Sequence, residues 1–281
     1  MSRLRRILGL SLVLVVGIAC AVVGAVLGIS EWKLGRQHDV PLTGLRTAAP
    51  LDLAEGERMA RIVGCWNGCH GARGEGGEER IDGVLRQTAP TLSEVLPLYT
   101  DDELARLVRF GIKLDGRSAI GMTSYAFWAL GDHDLANIIA YLRKEQPTMP
   151  PITRTLDLTL RARLALVTGA WGVSTDRVDR SRPRWGDLPQ TTAAERGRYI
   201  TSVTCVECHG LDLEGDALEH APSLALIAMY SREQFRDFMR TGKPIGGRDI
   251  PSMTWVADAP FSDREIDGMY EFLRTRYGLK P

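Results

Sequence analysis

The amino-acid sequence predicts an all-α protein with one N-terminal transmembrane helix followed by two related helical domains. Residues 7–29 are uncharged and mostly apolar, which predicts the membrane helix. Residues 51–145 resemble residues 191–281 in the order and spacing of their helix signals, which predicts the two domains. Basic and acidic residues balance at 35 each, so the net charge does not indicate a nucleic-acid partner.

The N-terminal segment predicts a membrane anchor. Residues 1–6 contain three arginines, and the uncharged run at 7–29 exceeds the roughly 20 apolar residues that cross a bilayer. Arginines before such a run favour a cytoplasmic N-terminus and an external remainder. A cleaved signal peptide is the alternative, although its apolar core usually spans only about 7–15 residues. Residues 30–50 are polar with several Gly and Pro, and we expect them to tether the first domain to the membrane.

Each repeat is predicted to contain an early, a middle and a final helix. The residues expected to begin these helices are Asp52, Thr100 and Asp132 in the first repeat and Thr192, Ser231 and Ser262 in the second. Gly111 and Gly242 are expected to end the middle helices. The distance along the chain from Met122 to Tyr141 equals that from Met253 to Phe272, so the repeats correspond without a gap in this region.

The second repeat contains the pattern C-x-x-C-H at Cys205, Cys208 and His209. In c-type haem attachment, two such thiols form thioethers to the haem and the adjacent imidazole reaches the iron. Thioredoxin-like redox pairs and zinc sites use the same cysteine spacing. The contiguous histidine favours haem, because disulfide exchange does not call for it and zinc would need further ligands. The only cysteine outside the two motifs is Cys20, in the apolar run.

The first repeat contains the longer pattern C-x-x-x-C-H at Cys65, Cys69 and His70. Its place in the repeat matches that of the regular motif, so we expect a second haem here. The extra residue leaves open whether both thioethers form.

A methionine follows the middle helix in each repeat, at Met122 and Met253. Most methionines are core filler, but these two occupy equivalent positions, and a thioether can be the sixth iron ligand. His133 and His220 are the rival ligands, and each lacks a histidine counterpart in the other repeat.

Two prolines are candidates for orienting the ligating imidazoles. A ligating histidine normally donates its second N–H to an acceptor, which holds the ring in place. The carbonyls of Pro90 and Pro222, in matching Ala-Pro-x-Leu stretches, are the expected acceptors, with simple loop prolines as the alternative.

Each repeat resembles a class I cytochrome c domain, through the Cys-Cys-His-Gly motif, the Ala-Pro-x-Leu stretch, the Met loop and the closing Tyr-Leu or Phe-Leu helix. The resemblance covers 51–145 and 191–281 and implies two covalently bound haem c groups. It places the thioethers at Cys65, Cys69, Cys205 and Cys208, and the iron ligands at His70, Met122, His209 and Met253.

Residues 146–190 form the expected linker between the domains. Several prolines interrupt it, a short helix is possible within 158–171, and its arginines outnumber its acids. We expect a solvated charged connector. A docking surface for a partner or for anionic lipid headgroups is the alternative.

The whole layout is similar to membrane-anchored cytochrome c subunits of periplasmic dehydrogenases, and to diheme subunits of haem–copper terminal oxidases. The resemblance implies an electron carrier of the bacterial inner membrane, with a single span, a cytoplasmic N-terminus and periplasmic haem domains. Its partners would be redox proteins, with no small-molecule substrate and no catalysis of its own. A haem enzyme, such as a diheme peroxidase or a thiosulfate-oxidising cytochrome, is the alternative.

Overall fold

The structure, a computed structural model, describes residues 3–42, 44–47, 49–65, 68–81, 83–144, 148–217, 220–247, 250 and 253–280. These residues are mostly helical. In chain order the helices are α1 (Arg3–Gly35), α2 (Leu53–Ile62), α3 (Leu92–Val95), α4 (Asp101–Phe110), α5 (Ser124–Phe127), α6 (Asp132–Lys144), α7 (Leu160–Thr168), α8 (Ser174–Arg177), α9 (Ala193–Thr204), α10 (Val206–His209), α11 (Arg232–Thr241), α12 (Thr254–Asp258) and α13 (Asp263–Arg276). The strands are β1 (Gly77–Ile81), β2 (Leu85–Ala89) and β3 (Leu156–Leu158).

Helix α1 is long and apolar enough to cross a membrane. It continues past the apolar run, because residues 30–35 contain no helix breaker before Gly35. Part of the expected tether is therefore helical. Another part of the tether packs against the first repeat, because Val40 is buried against Phe110 and Ile112.

The first and last helices of each repeat cross at a glycine. A Cβ at Gly56 on α2 would lie 2.2 Å from the Asn137 carbonyl oxygen on α6. A Cβ at Gly197 on α9 would lie 1.9 Å from the Gly268 carbonyl carbon on α13. Asn137 and Gly268 are equivalent in the repeat, so both pairs of helices cross at the same place. Backbones can approach this closely only where a side chain is missing.

The predicted helix ends are confirmed at the middle helices. Thr100 forms a reciprocal capping box with Glu103 at the start of α4, and Ser231 does so with Gln234 at the start of α11. The helices end at Gly111 and Gly242, whose φ values of 69° and 68° lie in the left-handed region that glycine tolerates.

The expectation of an all-α protein is wrong in one region, where the chain forms a three-stranded antiparallel sheet in the order β1-β2-β3. Strands β1 and β2 form a hairpin in the stretch after the first cysteine motif, and β3 comes from the expected linker. The hairpin strands are rich in charged residues rather than β-branched ones, and Glu78 and Arg86 pair across them at 2.8 Å. Their residues therefore lack the composition that indicates a strand.

The expectation of a solvated connector is also wrong for part of the linker, because its arginines stack on aromatic rings of the first repeat. Arg177 lies 3.8 Å from the ring centroid of Tyr125, and Arg180 lies 4.9 Å from that of Phe110. Planar guanidinium groups stack favourably on such faces. Helix α7 lies within the stretch where a short helix was predicted.

Candidate functional site

The second motif continues directly from helix α9. Cys205 has helical dihedrals at the end of α9, and α10 carries Cys208 and His209. The His209 imidazole is 8% exposed, and its Nδ1 lies 2.7 Å from the Pro222 carbonyl oxygen. Because a carbonyl oxygen can only accept, Nδ1 carries the proton and the Nε2 lone pair is left for a metal.

The first motif is reached by a different backbone path. Helix α2 ends at Ile62, and Gly64 follows with φ of 72°, so Cys65 lies in a turn rather than at a helix end. Trp66 and Asn67 lie outside the described residues. His70 Nδ1 nevertheless lies 2.9 Å from the Pro90 carbonyl oxygen. The proline contacts expected from the sequence are therefore confirmed in both repeats.

Burial favours the neutral form of both imidazoles. It lowers the pKa of His70 and of His209, and the hydrogen bonds to Pro90 and Pro222 act in the opposite direction without reversing the shift. A neutral imidazole with one N–H already committed is the form that binds a metal through its other nitrogen.

The environments of Cys65, Cys69 and Cys205 are poorly suited to disulfide exchange. Burial, followed by the negative charges of Cys69 and Glu207, raises the pKa of Cys65 to about 12. Burial and Glu207 raise that of Cys69 to about 11, and burial raises that of Cys205. A redox-active thiol needs a lowered pKa, so these environments disfavour the thioredoxin-like alternative.

A zinc site finds no support in the described part of the chain. Among those residues, no three His, Cys, Asp or Glu side chains are grouped as a metal ion would require. A cysteine pair beside an oriented imidazole, found in both repeats, fits a covalently attached haem instead.

The two candidate methionines lie in loops against the hydrophobic core. Met122 lies two residues before the short helix α5, and its carbonyl oxygen accepts a 2.6 Å hydrogen bond from Ser174 Oγ of the linker. Met253 directly precedes α12, and its N–H donates to the Ile250 carbonyl at 2.9 Å. Both side chains are partly buried against the core. Their role as sixth ligands stays a prediction.

The rival ligand His133 lies in a different setting. It lines a surface cavity with Arg46, Asp132 and Arg184. His220 has a positive φ of 52° in the loop before Pro222.

The second motif packs against the first repeat, which the sequence did not predict. Helix α5 packs against α9 and α10, and the Tyr125 hydroxyl donates to the Glu207 carbonyl oxygen at 3.0 Å. Glu207, inside the second motif, also acts electrostatically on the thiols of Cys65 and Cys69 in the first. Tyr125 and Glu207 carry no sequence signal for this role, because contacts between distant segments leave no local pattern.

Comparison with known families gives a match to part of the chain. The family model described as cytochrome c oxidase, cbb3-type, subunit III matches residues 192–273. The matched segment contains the second motif and Met253, and it is a minority of the chain. It supports a c-type cytochrome with covalently bound haem and a function in electron transfer. A comparison with curated proteins found no match.

Proposed function

We propose that the chain is a membrane-anchored diheme c-type cytochrome that relays electrons between a periplasmic donor and a respiratory acceptor. The recurrent histidine–proline contact is the observation that carries this proposal. His209 donates to Pro222 within the segment that the family model matches, and His70 donates to Pro90 in the other repeat. The same oriented imidazole beside a cysteine pair therefore occurs twice.

The proposed haem domains are residues 51–145 and 191–281, separated by a linker at 146–190. Each would bind one haem, which supplies reversible one-electron chemistry. The residues that hold them are Cys65, Cys69, His70 and Met122 in the first domain, and Cys205, Cys208, His209 and Met253 in the second. The proline carbonyls fix the imidazole orientation, and Met122 and Met253 are partly buried against the hydrophobic core.

Anchoring by α1 is supported by contacts that join α1 to the rest of the protein. Lys33 Nζ donates to the Leu166 carbonyl at 2.7 Å, and Arg163 pairs with Glu31 at 2.6 Å. Lys33 and Glu31 would survive loss of residues 1–29 as a signal peptide, but Val26 of α1, which is 7% exposed, would be lost. Burial of Val26 favours a retained anchor, and the three arginines of residues 1–6 favour a cytoplasmic N-terminus.

Relay through both haems is supported by the closeness of the two motifs. The contact of Tyr125 with Glu207 holds the second motif against the first domain. An electron can then pass between two centres that the same chain fixes in position.

Redox titration of the full-length protein purified from membranes tests the proposal. We expect two reversible one-electron steps, low-spin spectra in both redox states and no turnover of hydrogen peroxide. A high-spin ferric haem with peroxidase activity would instead favour the haem-enzyme alternative.

A diheme subunit of a terminal oxidase is the second candidate, and the family match favours it. Purification from solubilised membranes separates the candidates. Recovery of the chain with a haem–copper oxidase would support the oxidase subunit, and recovery with a dehydrogenase would support the proposed relay from a periplasmic donor.

A further inference from the structure

Helix α7 packs against the end of α1 through one of its faces. Ala162 and Leu166 are each 1% exposed on this face. Lys33 of α1 donates to the carbonyls of Leu166 and Val167, at 2.7 and 3.4 Å, and so satisfies carbonyls near the end of α7. The two helices are therefore joined by apolar packing and by hydrogen bonds.

The opposite face of α7 is also apolar but has no cover in the described structure. Leu160 and Leu164 are 47% and 49% exposed. Successive residues of a helix are rotated by about 100°, so this pair lies nearly opposite Ala162 and Leu166. A helix that is apolar on both faces is normally buried on both. We therefore expect the exposed face of α7 to contact an apolar environment outside the chain.

The position of α7 along α1 indicates what that environment is. Val26 and Ser30, in the contact region of α1, are 7% and 0% exposed, whereas the residues at 5–25 are exposed. Arg163 of α7 donates to Ser30 Oγ at 2.8 Å. Val26 lies within the apolar run and Ser30 directly after it, so α7 lies where α1 would leave the hydrocarbon.

The charged and aromatic residues at this level suit a membrane interface. Lys33 and Arg163 form hydrogen bonds between α1 and α7, and Arg161 is exposed on α7. Trp32 is 62% exposed one residue before Lys33. Tryptophan and basic side chains are enriched where a helix leaves the bilayer.

We propose that α7 is an interfacial helix that lies in the headgroup region of the bilayer spanned by α1, with Leu160 and Leu164 in contact with lipid. The surface is continuous with the exposed apolar surface of α1, and this continuity favours lipid over a protein partner. This position of α7 in the headgroup region, here called its seating, fixes the orientation of the rest of the protein relative to the membrane. The inference rests on the proposed membrane anchor and is independent of haem binding.

Cysteine accessibility tests the seating of α7. The parent is the full-length haem-loaded protein with Cys20→Ala, purified and placed in lipid nanodiscs, which expose both leaflets. Single variants Leu164→Cys and Leu160→Cys are treated with a charged maleimide, and parent labelling is subtracted. Val13→Cys, in the apolar run, is the lipid control. Asp263→Cys is the water control, because the Asp263 side chain is 75% exposed.

We expect the thiols at positions 164 and 160, like the thiol at position 13, to react at least about tenfold more slowly than the thiol at position 263. The reason is that thiolates do not form readily in apolar surroundings. Unchanged haem spectra establish that the variants are folded. Fast labelling at 164 and 160 with slow labelling at 13 would overturn the seating of α7 and leave the anchor intact. Protection in native membranes but not in nanodiscs would assign the face to a protein partner and also overturn it. Fast labelling at 13 would overturn the anchor and the seating together.

Discussion

Arg58 on α2 donates hydrogen bonds to both carboxylate oxygens of Glu265 on α13, at 2.8 and 3.0 Å. Tyr199 on α9 donates to Asp134 on α6 at 2.7 Å. In each contact, the first helix of one repeat binds the last helix of the other. Arg58 and Tyr199 each lie two residues after the glycine at which the helices cross, Gly56 and Gly197 respectively. Asp134 and Glu265 are equivalent in the repeat. The repeats therefore meet through an approximately two-fold set of contacts.

Replacement of Arg58 by alanine is expected to lower the free energy of unfolding by about 3 kcal/mol, because it removes one of the two arginines that pair with a buried carboxylate, together with two charge-assisted hydrogen bonds. The Glu265 side chain is only 3% exposed. Denaturant unfolding in detergent, followed by circular dichroism, measures the change.

Arg61→Ala on the same helix is the matched control. Arg61 pairs with Glu57 where the two side chains are 33% and 43% exposed, so we expect a loss of less than about 1 kcal/mol. Equal losses in the two variants would contradict a structural role for the buried pair.

Acid stability is expected to depend on the same carboxylate. Burial opposes ionisation of Glu265, but hydrogen bonds from Arg58 and the Ser262 N–H, with the charges of Arg58 and Arg196, hold its pKa at about 2. Its folded pKa lies below its unfolded value, so its contribution to stability is present above the unfolded pKa of about 4.3 and is lost as the pH falls towards 2.

The variant Glu265→Gln tests this dependence through the unfolding free energy measured at a series of pH values from 5 down to 2. We expect it to be less stable than the parent protein at neutral pH and to lose less further stability on acidification. Parallel curves for the two proteins would count against the assignment.

The helices could be predicted because the residues that begin and end them act locally. Thr100 caps its own helix, and Gly111 adopts the conformation that ends it. The histidine–proline contacts were predictable for a related reason, since a ligating imidazole needs an acceptor and the two prolines occupy matching stretches. Such signals lie within a few residues of the structure they specify.

The features that the sequence did not predict depend on distant segments. Strand β3 pairs with β2 although α4, α5 and α6 lie between them in the sequence. The hairpin strands β1 and β2 are too polar to be recognised as strands. The contact of Tyr125 with Glu207 joins different repeats. The stacking of linker arginines, such as Arg177 on Tyr125, likewise depends on how the folded segments meet.

Gly197→Ala is expected to separate α9 from α13. The added Cβ would lie 1.9 Å from the Gly268 carbonyl carbon and 2.2 Å from the Met269 nitrogen, both of which are backbone atoms that cannot rotate away. Overpacking of this kind costs about 3 kcal/mol or more.

Thermal unfolding and haem content measure the effect of this change. Gly172→Ala is the control, because its new Cβ would meet nothing closer than 3.5 Å and its melting temperature should change little. A Gly197→Ala protein as stable as this control would show that the helices are not in close contact at the crossing.

Met253→Ala is expected to open the iron of the second haem to carbon monoxide, because the sixth position would lose its ligand. The reduced variant should form an adduct that is visible in its absorption spectrum, and Met122→Ala should behave likewise for the first haem. Met239→Ala is the control, since Met239 is a core residue that is 5% exposed and should affect stability alone. Unchanged spectra and no adduct in Met253→Ala would remove that residue as a ligand.

The intact mass of the purified, denatured full-length protein tests the central claim most directly. Thioether bonds survive denaturation, so every attached haem remains on the chain. Attachment at both motifs predicts the mass of the polypeptide plus two haems, falling to one haem when Cys205 and Cys208 are both replaced by serine. A mass corresponding to one haem or none in the protein without substitutions would contradict the assignment of two haem sites.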